Sequence, residues 1–261
     1  MLTDQQIAHY RTFGFLTFRQ YFQPNEVETL RREFLSSMEA VYRHHPFDGS
    51  RRHWLTMFRP EAPFFAGLME DARFDGMAQA LLGDDAIGCC IDANRYISDT
   101  GWHPDTLSKQ TNILKIVFYL QPVGAESGAL RVVPGTHHPE LFDKLRTQWK
   151  DAAPNIADAP AYVFDSQPGD VLAFDARLWH ASLGGSKDRW MCTLFYTAAP
   201  KTPEEETAIR ELARGQRTLG KAFDHPEDPY YHPAWLANPD GSARRTYWIN
   251  RQREFGFIDA E

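Results

Sequence analysis

The sequence predicts a mainly β domain, a sandwich or barrel, with helices packed around it. The first observation behind this is a density of short extended runs: seven lie between Ile87 and Pro200, parted by turn residues. The second is that helical periodicity gathers at the two ends of the chain. The third is the lack of a seam. The 17 glycines and 17 prolines are scattered through 261 residues, with no repeat or low-complexity block. A single domain over 1–261 is therefore expected, with an N-terminal helical part (1–86), a β core (87–200) and a C-terminal helix and tail (201–261).

The elements follow in order. Thr3 and Gln6 form a capping box for a first helix that Gly14 ends, and Phe15 to Phe18 are extended. Pro24 opens a second helix, where Val27, Leu30, Phe34, Met38 and Val41 lay one apolar stripe. From Arg43 to Pro63 the chain reads as a long loop dense in Arg, His and aromatics, a kind that tends to be functional or mobile. A helix over Phe64 to Leu82 stops at Gly83. Strands are expected over Cys89–Ile97, Thr111–Leu120, Ala129–Val133, Tyr162–Phe164, Val171–Phe174, Trp179–Leu183 and Arg189–Ala198, with a helical insertion over His138–Trp149. Thr202 caps a further helix, with Pro203 at its first position and three glutamates in its first turn, where the helix dipole favours them. Phe223 to Glu261 reads as a packed irregular tail, with Trp235, Tyr247 and Trp248 serving packing.

Composition narrows the function. A formal charge of −7 leaves no basic excess to neutralise a phosphate backbone, so no nucleic-acid partner is expected. The longest apolar run, Ile113 to Leu120, is interrupted by Lys115 and is far short of the roughly 20 residues of a membrane span. The opening MLTDQQIAHYR lacks a signal-peptide pattern, so a soluble, cytoplasmic protein without a membrane partner is expected. The 3 cysteines, Cys89, Cys90 and Cys192, fit no zinc spacing and read as free, buried thiols. The marks of a phosphate-binding loop, a dinucleotide fold, a zincin and a serine hydrolase elbow are all missing.

What remains is a question of histidines and carboxylates. His103, Pro104 and Asp105 form an HxD triplet, and residues two apart in an extended segment point to one side, where both can reach one metal. Pro104 disfavours helix at His103. With 10 histidines in the chain about one such triplet is expected by chance, and His138, Pro139 and Glu140 form a rival HxE. A second element, QPGDVLAFDARLWHASLGGSKDRW, reads as a strand, then His180, a Gly-rich turn over Gly184 to Asp188, and a return strand from Arg189. If that turn closes a hairpin, His180, Ser182, Arg189 and Met191 share one face. A buried lone Arg calls for an anion, and its fork matches a carboxylate. Two His and one carboxylate with positions left open is the facial triad of non-haem Fe(II) oxygenases.

The chain resembles the phytanoyl-CoA dioxygenase-like branch of the Fe(II)/2-oxoglutarate oxygenases in four fragments in the family's order: LTDQQIAHYRTFGFLTF, GWHPDT, LKIVFYLQPVGAESGALRVVPGTHH, and GDVLAFDARLWHAS with Arg189 nine residues after His180. The resemblance implies a double-stranded β-helix, a jelly-roll of cupin-like form, with the metal at one open end. It implies that His103, Asp105 and His180 bind iron, that Arg189 pairs with the far carboxylate of 2-oxoglutarate while Ser182 adds a hydrogen bond, and that His137 and His138 belong to a structural turn. Pro104 stands where the family commonly has Gln, and Gln121 and Pro122 replace a more usual acidic turn.

By alternation Lys115 could reach the cavity on the co-substrate side, or instead snorkel to solvent. Asp92 and Asn94 share a polar strand face with Cys90 and Tyr96 that could contact substrate, as could Trp102 of the GWHPDT fragment. The cluster Arg51, Arg52, His53, Trp54 and Arg59 could form a lid gripping an anionic substrate; a solvated loop is the alternative. The resemblance implies an Fe(II)- and 2-oxoglutarate-dependent dioxygenase that uses O2 to hydroxylate a C–H bond of a small polar metabolite or natural-product intermediate, releasing succinate and CO2. Related halogenases lack the carboxylate, so Asp105 favours hydroxylation, with desaturation, epoxidation or cyclisation as alternatives. A non-catalytic ligand-binding protein and a cupin-type isomerase or hydrolase are the other classes. Oligomeric state is not legible.

Overall fold

The computed structural model describes residues 1–149, 154–155, 158–217, 219–223, 225 and 227–259. The chain opens with α1 (Asp4–Phe13), where Thr3 Oγ1 accepts from Gln6 N at 3.2 Å and Gln6 Oε1 accepts from Thr3 N at 2.9 Å. Gly14 ends it at φ 84°, and a Cβ there would lie 2.6 Å from the His137 ring. That close approach and the left-handed backbone both require glycine. β1 (Phe15–Phe18) follows, then α2 (Pro24–Val41), whose Leu30, Phe34 and Met38 are buried as the periodicity expects.

Two expectations for the next segment are corrected. The long loop contains a strand, β2 (His53–Thr56), and the single helix is two, α3 (Pro63–Leu68) and α4 (Ala72–Leu82). The break follows from Asp71, whose carboxylate accepts from Arg73 N at 2.8 Å and so starts a new helix. α3 borrows its cap from a distance: buried Glu33 of α2 accepts from the backbone N–H groups of Phe64 and Phe65 at 3.1 and 2.9 Å.

The sheet elements are β3 (Ile87–His103), β4 (Ile113–Tyr119), β5 (Leu130–Val132), then α5 (Pro139–Gln148), β6 (Tyr162–Val163), β7 (Val171–Asp175) and β8 (His180–Thr197). The order is β1-β7-β4-β8-β3-β2, antiparallel at each pairing, with β5 joining β8 to β6. The expected hairpin at Gly184–Asp188 does not exist. β8 runs straight through it, because β3 continues alongside and Ser98 pairs with Ser186. Between the pairs Tyr96↔Arg189 and Ser98↔Ser186, β8 carries one residue more than β3. That bulge flips the side-chain parity, which brings Arg189 to the same side as Ser182, seven positions earlier. Further bulges bend the far ends of β3 and β8 out of the main sheet and over toward β5, so the curled sheet encloses a cavity.

α6 (Pro203–Gln216), a short 3-10 helix (Leu219–Phe223), α7 (Pro233–Leu236) and α8 (Ala243–Phe255) complete the described elements. The tail expected to be irregular thus contains two α-helices, α7 and α8, joined by irregular segments; positions 224, 226 and 260–261 lie outside the described residues. Its role is packing as expected for Trp235 and Trp248. Trp248 is fully buried against β3, donating Nε1–H to Ala86 O at 3.1 Å. No helix among the described residues is long and apolar enough to cross a membrane.

His53 of β2 gives a test of this packing. Its ring stacks on Tyr42 with centroids 3.7 Å apart, and burial, then the charges of Arg95 and Arg51, push its pKa down to about 4 from 6.5. Between those values the unfolded chain binds a proton that the folded chain refuses, so stability is full above pH 6.5 and falls as the pH drops toward 4. The loss is on the order of 2 kcal/mol. His53→Phe keeps the stack and should flatten the acid limb; urea denaturation at pH 7 and pH 4.5 checks this, and equal acid slopes in both proteins would refute it.

Candidate active site

The end of β3 and the start of β8 pair side by side, His103 opposite His180. Asp105 follows two residues after His103, its backbone N–H donating to Ala176 O at 2.8 Å. One ligand atom from each of His103, Asp105 and His180 lies within 4.8 Å of the others. Asp105 Oδ1 is 3.6 Å from His180 Nε2 and 3.9 Å from His103 Nε2. Each imidazole donates its Nδ1–H to the carbonyl two residues before it, His103 to Gly101 and His180 to Leu178, both at 2.8 Å. Those bonds leave Nε2 of each ring as a lone-pair donor aimed at the common point, the arrangement that metal-ligating histidines require.

Charge is also prepared. Burial works against ionisation of Asp105, but the Lys115 ammonium at 2.9 Å and His180 outweigh it and hold the carboxyl well below its ordinary range. Burial, then His180, pushes His103 down to about 4, so its imidazole is neutral at physiological pH. The rival HxE is not part of this group. His137 and His138 donate from Nε2 to the carbonyls of Arg11 and Thr12 at 3.2 and 3.0 Å, tying the end of α1 to the turn before α5.

Arg189 occupies the wall beyond the triad. It is 2% exposed, donates from Nη2 to Ser182 Oγ at 3.3 Å, and lies 5.0 Å from the Tyr96 ring centroid. Its Nε and Nη1 have no hydrogen-bond partner among the described residues. Gly128, at φ 91°, makes room for it: a Cβ there would stand 1.7 Å from Nη1. A buried guanidinium with two free donor positions is costly without an anion, and it is shaped for a carboxylate.

The triad and Arg189 share one cavity of about 290 Å³. Lys115, Ser182, Asp92 and Asn94 line it too. Arg59 and Trp102 do not. Arg59 is held elsewhere by Glu61 and Asp228, at 2.6 and 2.7 Å. Trp102 alternates with His103 along β3, so the period of two sends it to the opposite face, where it packs against Trp149 and Trp179. Of the cationic loop, Arg52 and Trp54 reach the cavity. The sequence reading missed Gln216, Leu219, Phe223 and Tyr230, which form the outer wall. Phe223 and Tyr230 come from the tail read as packing, and Gln216 and Leu219 from the end of α6 and the turn after it; no local pattern marks them.

The phytanoyl-CoA dioxygenase (PhyH) family model matches residues 10–190. The dioxygenase af480 of Aspergillus fumigatus is 25% identical over 157 residues, which is 55% of this chain and 48% of the relative. The chain thus spans about half the length of that curated relative. Among solved structures, HygX from Streptomyces hygroscopicus, with nickel and 2-oxoglutarate bound, matches with a TM-score of 0.61 at 20% identity over 76% of this chain and 88% of HygX. SnoK, a non-heme alpha-ketoglutarate-dependent carbocyclase from nogalamycin biosynthesis, matches with a TM-score of 0.59 at 20% identity over 76% and 85%. At these identities the likeness carries the fold: a jelly-roll with flanking helices.

Proposed function

Because the chain belongs to the phytanoyl-CoA dioxygenase (PhyH) family, we propose that it is an Fe(II)- and 2-oxoglutarate-dependent oxygenase that hydroxylates a C–H bond of a small polar metabolite or natural-product intermediate. One observation carries the reading: a buried Arg189 with two unpartnered donor nitrogens faces the same cavity as three convergent ligand atoms. His103, Asp105 and His180 would hold the iron, and Arg189 with Ser182 would hold the distal carboxylate of 2-oxoglutarate. When bound, iron, 2-oxoglutarate and O2 together supply the oxidising power, with succinate and CO2 released.

The chain's own share is orientation and exclusion of water. Nδ1–H donation to Gly101 O and Leu178 O keeps both imidazoles in the ligating tautomer. Lys115 keeps Asp105 ionised before metal arrives. Val117, Tyr119 and Met191 line the wall near Arg189, a largely apolar surface that strengthens a charge-assisted pair there. Buried free thiols at Cys89, Cys90 and Cys192 fit a reducing compartment, and we place the protein in the cytoplasm.

A second reading keeps these cofactors and ends in ring closure, the activity named for SnoK, whose fold the chain shares. The test is an anaerobic titration with Fe(II) and 2-oxoglutarate, then exposure to O2 with a panel of amino acids, phosphonates, amines and acyl-CoAs. One succinate per product one oxygen heavier is the expected result. A product two hydrogens lighter that carries a new ring and no new C=C by NMR would select the second reading, and no iron-dependent binding of 2-oxoglutarate would sink both.

A further inference from the structure

The cavity has a further wall, along β3 and β2, that the cofactors do not explain. Asp92 and Asn94 of β3 lie there, 7% and 1% exposed. Asn94 Nδ2 donates to Asp92 Oδ1 at 2.7 Å, while Asn94 Oδ1 accepts from Arg52 Nε at 2.9 Å and Nη2 at 2.5 Å. The guanidinium is fixed in place by aromatic rings, 3.8 Å from the Tyr96 centroid and 5.1 Å from that of Phe223. One carboxamide therefore stands between a carboxylate and a guanidinium, and keeps them from pairing with each other.

Neither charge has a direct ion-pair partner, and Lys115 and Arg52 act on Asp92 only from a distance. Among the described residues no cation lies at ion-pair distance from Asp92, and no carboxylate from Arg52. The Thr193 hydroxyl and Trp54 indole beside Asp92 are neutral, and burial raises its carboxyl above the ordinary value. Leaving a buried carboxylate without a cation in contact is expensive, whereas one ligand could complete both groups at once. Between them and the outer wall the surface is aromatic, from Trp54, Phe195 and Tyr230, and suits a carbon frame.

Resting on the oxygenase reading, we propose that this part of the cavity binds a zwitterion, with a substrate ammonium on Asp92 and a substrate carboxylate on Arg52. The substrate class is then a free amino acid or a close analogue with an unblocked amine and acid a few bonds apart. A simple acid would leave Asp92 unanswered, and a simple amine would leave Arg52 so. Tyr230 and Phe223 close the subsite from a segment beyond residues 10–190, the part that matches the family, so this wall is where substrate preference within the family can diverge.

Binding can be read without turnover. The iron-free chain with 2-oxoglutarate is screened by saturation-transfer NMR against the common α-amino acids, β-alanine, 4-aminobutyrate and ornithine, each beside its N-acetyl and methyl-ester forms. At least one free amino acid should bind about tenfold or more tightly than both blocked forms. Asp92→Asn should erase the preference over the N-acetyl form and Arg52→Gln the preference over the ester. This crossed pattern is not produced by a merely damaged fold, and circular dichroism checks the fold itself. Blocked forms that bind as well as free ones, or variants that lose both preferences equally, would overturn the zwitterion subsite. Calorimetry of Fe(II) and 2-oxoglutarate on the same protein tests the oxygenase reading separately, so either can fail alone.

Discussion

His180→Ala is expected to abolish tight binding of a divalent ion, with a loss of at least about a hundredfold in affinity. The proposed donor is 2% exposed and its tautomer is set by Leu178 O, so its Nε2 has no competing partner to give up when a metal arrives. Removing it leaves His103 and Asp105, and perturbing even the groups that orient metal ligands typically costs 10- to 100-fold in other sites, about the floor for losing a ligand outright. Asp105 would also turn more fully to Lys115, its ion-pair partner at 2.9 Å, which further disfavours the metal. Calorimetric titration with Ni(II), or with Fe(II) under anaerobic conditions, measures this directly. His137→Ala is the control. That ring ties Arg11 to the turn before α5, so its loss should cost stability and leave metal affinity alone. Undiminished affinity in His180→Ala would remove the residue from the metal site.

The contrast between those two histidines shows what was readable in the chain. The HxD pair and His180 lie in extended backbone, where a period of two says which residues share a side, and the fold needs only to bring two strand ends together. Arg189 was readable for a reason that turned out different. A hairpin placed it beside Ser182, whereas in the structure both sit on one strand and an extra residue in β8 opposite β3 supplies the change of face. Gly184 and Gly185, with φ 99° and 38°, look like turn residues because a bulge uses the same left-handed backbone as a turn.

Other features depend on partners far along the chain. Arg59 looked like part of a substrate lid because Asp228, which claims it, is 169 positions away. Glu33 capping α3 and the four outer-wall residues have the same character: each is an ordinary side chain whose role comes from tertiary packing. Local propensity favoured one helix over Phe64 to Leu82, and only the Asp71 cap, a single side-chain bond, decides for two. Periodicity thus carries the sheet and the family resemblance singles out the triad over its HxE rival, while bulges, caps and the far wall come from interactions that no window of sequence contains.

Arg189→Met is expected to raise the 2-oxoglutarate concentration needed for half-saturation by about two decades while leaving divalent-ion binding unchanged. Methionine keeps part of the aliphatic stem and removes the fork that lies over Tyr96. Two donor nitrogens, Nε and Nη1, are unpartnered in a shielded site, and a charge-assisted pair made by them is worth roughly 3 kcal/mol, which corresponds to that shift. Arg189 makes its hydrogen bond to Ser182 and none to His103, Asp105 or His180, the proposed metal ligands, so the two measurements should separate. Gly128→Ala gives an independent approach to the same group. Its Cβ would stand 1.7 Å from Nη1, at a φ of 91° that alanine resists, so the guanidinium must move and the 2-oxoglutarate requirement should rise with Arg189 still present. A merely destabilised fold would lower metal affinity along with co-substrate affinity, and isothermal titration of Ni(II) followed by 2-oxoglutarate distinguishes the two. If both variants keep the original co-substrate requirement, the anion clamp lies elsewhere, and Lys115, the other buried cation facing the triad, becomes the residue to replace.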